Sequence, residues 1–172
     1  MAGTPDLPIT PVDGNVRTDV YPGDGIADIE APTATELNAV TGLNTSCYIT
    51  ADSSLIGIEQ ATISVALLCQ TVDRTEPGRK TVTLGITAVD NTNNPDTAGS
   101  NEFAELVEEG DTFTYVERRN KAWDAVYVAG DEVYIVKFKA GQKAPMAPEA
   151  NSYSRSVFNT FVVDFAGPVV VV

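Results

Sequence analysis

Two stretches of this chain alternate apolar and polar side chains with a period of two. That period belongs to β-strands, whose successive side chains point to opposite faces. In residues 61–69, Ile63, Val65, Leu67 and Cys69 fall on a core-facing side, and Gln60, Thr62, Ser64 and Gln70 on the other. In residues 79–89, Val82, Leu84 and Ile86 are predicted to point inward and Thr81, Thr83 and Thr87 outward. Thr75-Glu76-Pro77-Gly78 has turn chemistry, so the two runs are predicted to form a hairpin. Further strands are predicted over 112–119, 132–139 and 156–166.

Two short helices interrupt the strands. Thr33 and Glu36 have capping-box spacing, Leu37 and Val40 would share a face, and Gly42 would end that helix in the left-handed conformation. Asn101 opens a second helix to Glu109, with Phe103, Leu106 and Val107 on one face and Gly110 closing it. At 172 residues the chain has the size of one domain, and it lacks alternating βα units and tandem repeats. The expectation is a mainly β fold of two packed sheets, a sandwich or barrel-forming unit, with a flanking helix and a further short one.

Residues 1–33 hold half of the ten prolines, and proline lacks the N–H a sheet ladder needs. This stretch is predicted to be an extended arm, either free or ordered on a neighbouring subunit through Val12, Val16, Val20, Tyr21 and Ile26. Residues 141–153, with Pro145 and Pro148, read as a second loop or arm. Cys47 and Cys69 lie in strand-like runs without metal or redox spacing; two buried reduced thiols are expected, a disulfide or reactive pair being the alternative. The first residues lack a signal-peptide pattern, no apolar run reaches membrane-spanning length, and a chain made in a cytoplasm is expected.

Charge and composition narrow the function. A net charge of −13 opposes a nucleic-acid grip or an anionic membrane surface, both of which need basic stripes. The absence of histidine removes the commonest general base and metal ligand. Glu102, Glu105, Glu108 and Glu109 offer carboxylate pairs, but their helical spacing puts several on a solvated face. Asp90, Asn94 and Asp96 suggest a calcium loop, yet Pro95 stands where such a loop needs glycine and Asn101 where it needs glutamate. No phosphate-binding or nucleophile motif occurs, and neither a cofactor nor a catalytic residue is expected. Arg118-Arg119-Asn120-Lys121 reads as a hairpin tip that is solvated or faces an acidic partner. The outward strand faces are rich in Thr, Ser and Gln. Such faces are ordinary strand surface, are covered by a partner, or line a passage.

Ile26-Ala27-Asp28-Ile29-Glu30-Ala31-Pro32-Thr33-Ala34-Thr35-Glu36-Leu37-Asn38-Ala39, followed by Leu43 and Cys47-Tyr48-Ile49-Thr50, resembles the amino-terminal signature of the major tail tube proteins of actinobacterial phages with long, non-contractile tails. Glu76-Pro77-Gly78-Arg79, Tyr115-Val116-Glu117-Arg118-Arg119 and Gly130-Asp131-Glu132-Val133-Tyr134 are also similar. The resemblance implies a structural virion protein, assembled in the host bacterial cytoplasm into hexameric rings that stack as a tail tube. Genomic DNA would pass through that tube without being held. Tape measure and tail terminator or tip proteins are the implied partners. Gln60, Thr62, Ser64, Thr81, Thr83 and Thr87 become candidates for the lumen. Val12, Val16, Arg17, Val20, Tyr21, Arg118, Arg119, Lys121, Pro145 and Pro148 become candidates for contacts between subunits or rings. An acidic arm docked on Arg118, Arg119 and Lys121 of a neighbour would be weakened by salt. A head-decoration or carbohydrate-binding module is the alternative reading, for which Trp123 and Tyr127 are the aromatic hint, and a carboxylate enzyme using Glu105 and Glu108 is a third.

Overall fold

A computed structural model describes residues 10–53, 55–65, 74–91 and 101–172. In chain order its elements are β1 (Val16–Pro22), α1 (Ala34–Leu37), β2 (Leu43–Asn44), β3 (Ile56–Val65), β4 (Arg74–Leu84), β5 (Ile86–Val89), α2 (Glu102–Leu106), β6 (Thr112–Arg119), β7 (Glu132–Pro145) and β8 (Arg155–Val170). The fold is mainly β. Six strands make a curled half-barrel sheet in the order β2-β1-β6-β7-β8-β5, and β3 and β4 make a separate two-stranded sheet. All pairings among the described residues are antiparallel.

Period-two alternation builds a core on each face of the large sheet. Val20, Tyr115 and Val136 enter one cluster, while their chain neighbours Tyr21, Val116 and Ile135 enter the other. The first cluster is closed by Ile86 and Ala88 of β5 and by Phe103 and Val107 of the α2 region. There the Phe103 and Phe158 rings meet edge to face at 4.9 Å. The second is closed by Ile26, Leu37, Tyr127 and Val171. α1 has too few turns to stand alone, so packing and caps hold it. The Thr33 hydroxyl accepts from the Glu36 amide at 3.2 Å, and the Glu36 carboxylate accepts from the Thr33 amide at 3.0 Å.

Several expectations need correction. The stretch read as an arm over 1–33 contains β1, which lies inside the sheet between β2 and β6; residues 1–9 are outside the described residues. Prolines cluster around this strand, and within it the single one, Pro22, is its last residue. The expected turn at 75–78 is inside β4. Gln60 pairs with Lys80 and Thr62 with Pro77, so β4 carries an extra residue at a bulge. Gly78 is needed there, because a Cβ would lie 2.9 Å from the Ala61 carbonyl oxygen. Ile63 and Val65, expected in a core, are 52% and 48% exposed; Leu67 and the expected strand end at Cys69 fall outside the described residues.

α1 ends at Leu37, leaving Val40 in solvent, and Gly42 has no left-handed backbone. Gly42 instead makes room for the Tyr21 ring, which an added Cβ would meet at 2.2 Å. β7 continues to Pro145 through the pairs Lys143–Phe158, Ala144–Val157 and Pro145–Ser156, so the expected loop from 141 begins only after a longer ladder. Cys47 is exposed in a turn rather than buried in a strand, and Cys69 is outside the described residues.

Candidate functional site

Three features of the surface can make contacts rather than chemistry. The first is the β3–β4 hairpin. β4 and β5 are nearly continuous, but at Gly85, whose amide donates to Leu55 at 2.9 Å, the chain leaves the large sheet and the hairpin projects from it. No residue of β3 is fully buried. Isolated two-stranded ribbons are marginal in water and need a partner surface. Ile58, 47% exposed and paired with Val82, lies on one face; Ile63, paired with Glu76, lies on the other.

Register decides which hydroxyl-bearing side chains share a face. Ile58, Gln60, Thr62 and Ser64 lie together with Val82 and Lys80, whereas Thr81 and Thr83 pair with Glu59 and Gly57 on the opposite face. The expected single face of Gln60, Thr62, Ser64, Thr81 and Thr83 is therefore split in two. Thr87 belongs to a different sheet, where its carbonyl accepts from the Ser53 hydroxyl at 2.9 Å.

The second feature is the β8 edge. β5 pairs only with residues 155–158 of β8, so from Asn159 to Val170 no described strand is paired along that side. Phe161 and Val163 are exposed there. An open, apolar strand edge is a template for another chain. Pro145 ends the β7 ladder on the other side of β8, opposite Ser156, and Pro148 lies in the exposed connection to β8.

The third feature is a polar knot that holds the β6–β7 connection. Arg118 is buried and donates to the carbonyls of Ala122, Ala125 and Val126 at 2.9, 2.8 and 3.0 Å and to Asp131 at 3.0 Å. Two guanidinium groups lie against the Tyr127 ring, that of Arg17 at 4.5 Å and that of Arg118 at 4.8 Å from its centre. The Tyr127 hydroxyl donates to Asp19 at 2.6 Å, and Asp19 is paired with Arg17 at 2.7 Å. Burial, then the charge of Asp19, pushes the Tyr127 phenol far above its ordinary pKa. Tyr115 is shifted the same way by burial and by Glu117.

This knot corrects part of the expected contact set. Arg118, Val20 and Tyr21 are enclosed by their own subunit and have no surface to offer a neighbour. Arg119 is paired with Glu117, Lys121 with Asp131 at 3.0 Å, and Arg17 with Asp19. Among the described residues, the exposed basic side chains without an ion pair are Arg79, Lys80 and Lys139 instead. Sequence reasoning missed them because adjacent basic residues in a strand look like any solvated pair. Val12 and Val16 line an open groove of about 380 Å³ with Cys47, Leu55 and Trp123.

The carboxylates weighed for catalysis, Glu102, Glu105, Glu108 and Glu109, are exposed, and Glu102 accepts from the Tyr48 hydroxyl at 3.1 Å. Asp90 accepts from Ser156 at 2.7 Å and pairs with Lys143 at 3.1 Å; Asn94, Pro95 and Asp96 lie outside the described residues. Of the two aromatics that hinted at glycan binding, Tyr127 is buried and Trp123 is 41% exposed.

No curated protein matches the chain. The family model described as phage tail tube protein matches residues 4–172. A β-rich subunit with a projecting hairpin and an open sheet edge, matched over nearly its whole length, belongs to the phage tail tube protein family, whose members are non-enzymatic structural components of the virion tail and assemble as an oligomeric tube.

Proposed function

We propose that six copies form a ring and that rings stack into the tail tube of a long-tailed, non-contractile phage of actinobacteria, with the genome passing through the lumen. The observation that carries this reading is the combination of a curled sheet with an open β8 edge and a hairpin that has no core of its own. A half-barrel with one free edge can be continued by the sheet of the next copy, and head-to-tail contacts of that kind close into rings. The net charge of −13 keeps a phosphate backbone off the wall by like-charge repulsion. In this reading one of the two hairpin faces, that of Gln60, Thr62 and Ser64 or that of Thr81 and Thr83, would be the lumen candidate, since the register puts the two sets on opposite faces. Tape measure and terminator or tip proteins would bound the tube. The host group rests on the signature over residues 26–50.

Negative-stain electron microscopy of the concentrated protein tests the reading. Hollow tubes or stacked six-fold rings of uniform width are expected. Discrete monomers together with binding to capsids or glycans would overturn it in favour of a decoration or carbohydrate-binding module.

A further inference from the structure

Among the described residues the basic side chains are mostly paired within the subunit, and of the three exceptions Lys139 lies alone on β7 while Arg79 and Lys80 are neighbours on β4. Arg79 and Lys80 are adjacent, exposed and without an ion pair, at the bulge of the projecting hairpin. A cleft of about 330 Å³ on the body has the opposite character. Asp24, Asp28, Glu30 and Asp164 line it, with Lys137 as the single cation, over apolar surface from Ile29 and Phe165. Lys137 is paired with Asp24, which leaves Asp28, Glu30 and Asp164 without a cation. The apolar floor suits the aliphatic stems of arginine and lysine, and the carboxylates suit their heads.

Resting on the tube reading, we infer that the β3–β4 hairpin docks on a second copy of this chain, with Arg79 and Lys80 entering the cleft bounded by Asp28, Glu30 and Asp164. Charge complementarity selects this occupant: the hairpin presents unpaired cations, and the cleft has an excess of three carboxylates over cations. Apolar contact from Ile58, which shares its hairpin face with Lys80, then covers hairpin surface that the subunit leaves in water. The salt sensitivity first expected of Arg118, Arg119 and Lys121 is transferred to Arg79 and Lys80, because the former are engaged at home.

The test is assembly of full-length protein by sedimentation and microscopy at low and high salt. R79E/K80E is expected to raise the concentration needed for assembly by about tenfold or more at low salt, with an unchanged circular dichroism spectrum. Mixing it with D28K/E30K is expected to restore co-assembly. Tubes of R79E/K80E that form like those of the wild type at both salt levels overturn the docking and leave the tube reading standing. Rescue by E105K/E108K instead of D28K/E30K overturns the assignment to the cleft. A wild-type chain that stays monomeric at millimolar concentration and low salt overturns both the docking and unaided tube formation.

Discussion

Arg118 carries a full charge where almost no water reaches it, and it is tolerable there because carbonyls and a carboxylate take up hydrogens of its two terminal nitrogens, Nε alone being left without a partner. Removing one member of such a buried set strands the rest, which costs far more than a surface pair is worth. R118A is expected to lower the unfolding free energy by about 3 kcal/mol in urea titrations, with R118K losing less. The same region sets the alkaline limit. Folded-state pKa values of Tyr21, Tyr115 and Tyr127 are raised, chiefly by burial, so the neutral phenols are favoured in the native protein. Their contribution to stability is complete below about pH 10, the unfolded tyrosine value, and is lost as pH rises beyond it. Absorbance at 295 nm should show these tyrosines ionising only together with unfolding. Phenolate signals that titrate ahead of the loss of circular dichroism would contradict the burial of the knot.

At the scale of elements, local chemistry was legible and long-range pairing was not. The Thr33–Glu36 capping box was readable because its partners are three residues apart. β6 was readable because its ends coincide with a change of pattern. The bulge in β4 was not, since Pro77-Gly78 has turn chemistry in isolation and becomes strand only where β3 lies alongside. The hairpin also shows why exposure escaped the reading: alternation tells which residues share a side, not whether anything covers that side. Hydrogen exchange is expected to show β3–β4 amides weakly protected in the monomer, below those of β6 and β7, and strongly protected in tubes. Equal protection in both states would mean that the hairpin is not an assembly element.

For the whole molecule, the free side of β8 is the counterpart of the hairpin. Lysines on an edge strand discourage pairing with another chain while leaving an exposed site in the monomer little changed. F161K/V163K is expected to yield a folded monomer, with stability within about 1 kcal/mol of the wild type, that forms no rings. Rings of normal diameter from this variant would move the ring contact to another edge. The two sets of substitutions separate the contacts: loss at β8 removes rings, whereas loss at Arg79 and Lys80 removes hairpin docking between copies.

Alternation, charge and the signature over residues 26–50 determined from the sequence alone that this chain is a mainly β, non-enzymatic, assembling protein. Each of these is a property of neighbouring residues or of the total, so no partner strand is needed to read it. The tertiary structure decided that 16–22 is a strand of the large sheet, between β2 and β6, and that Gln60 and Thr81 look in opposite directions. It also decided which cations are free, withdrawing Arg118 and leaving Arg79 and Lys80. Register and ion pairing join residues far apart in the chain, and a one-residue shift reverses every face, so only the folded arrangement settles them.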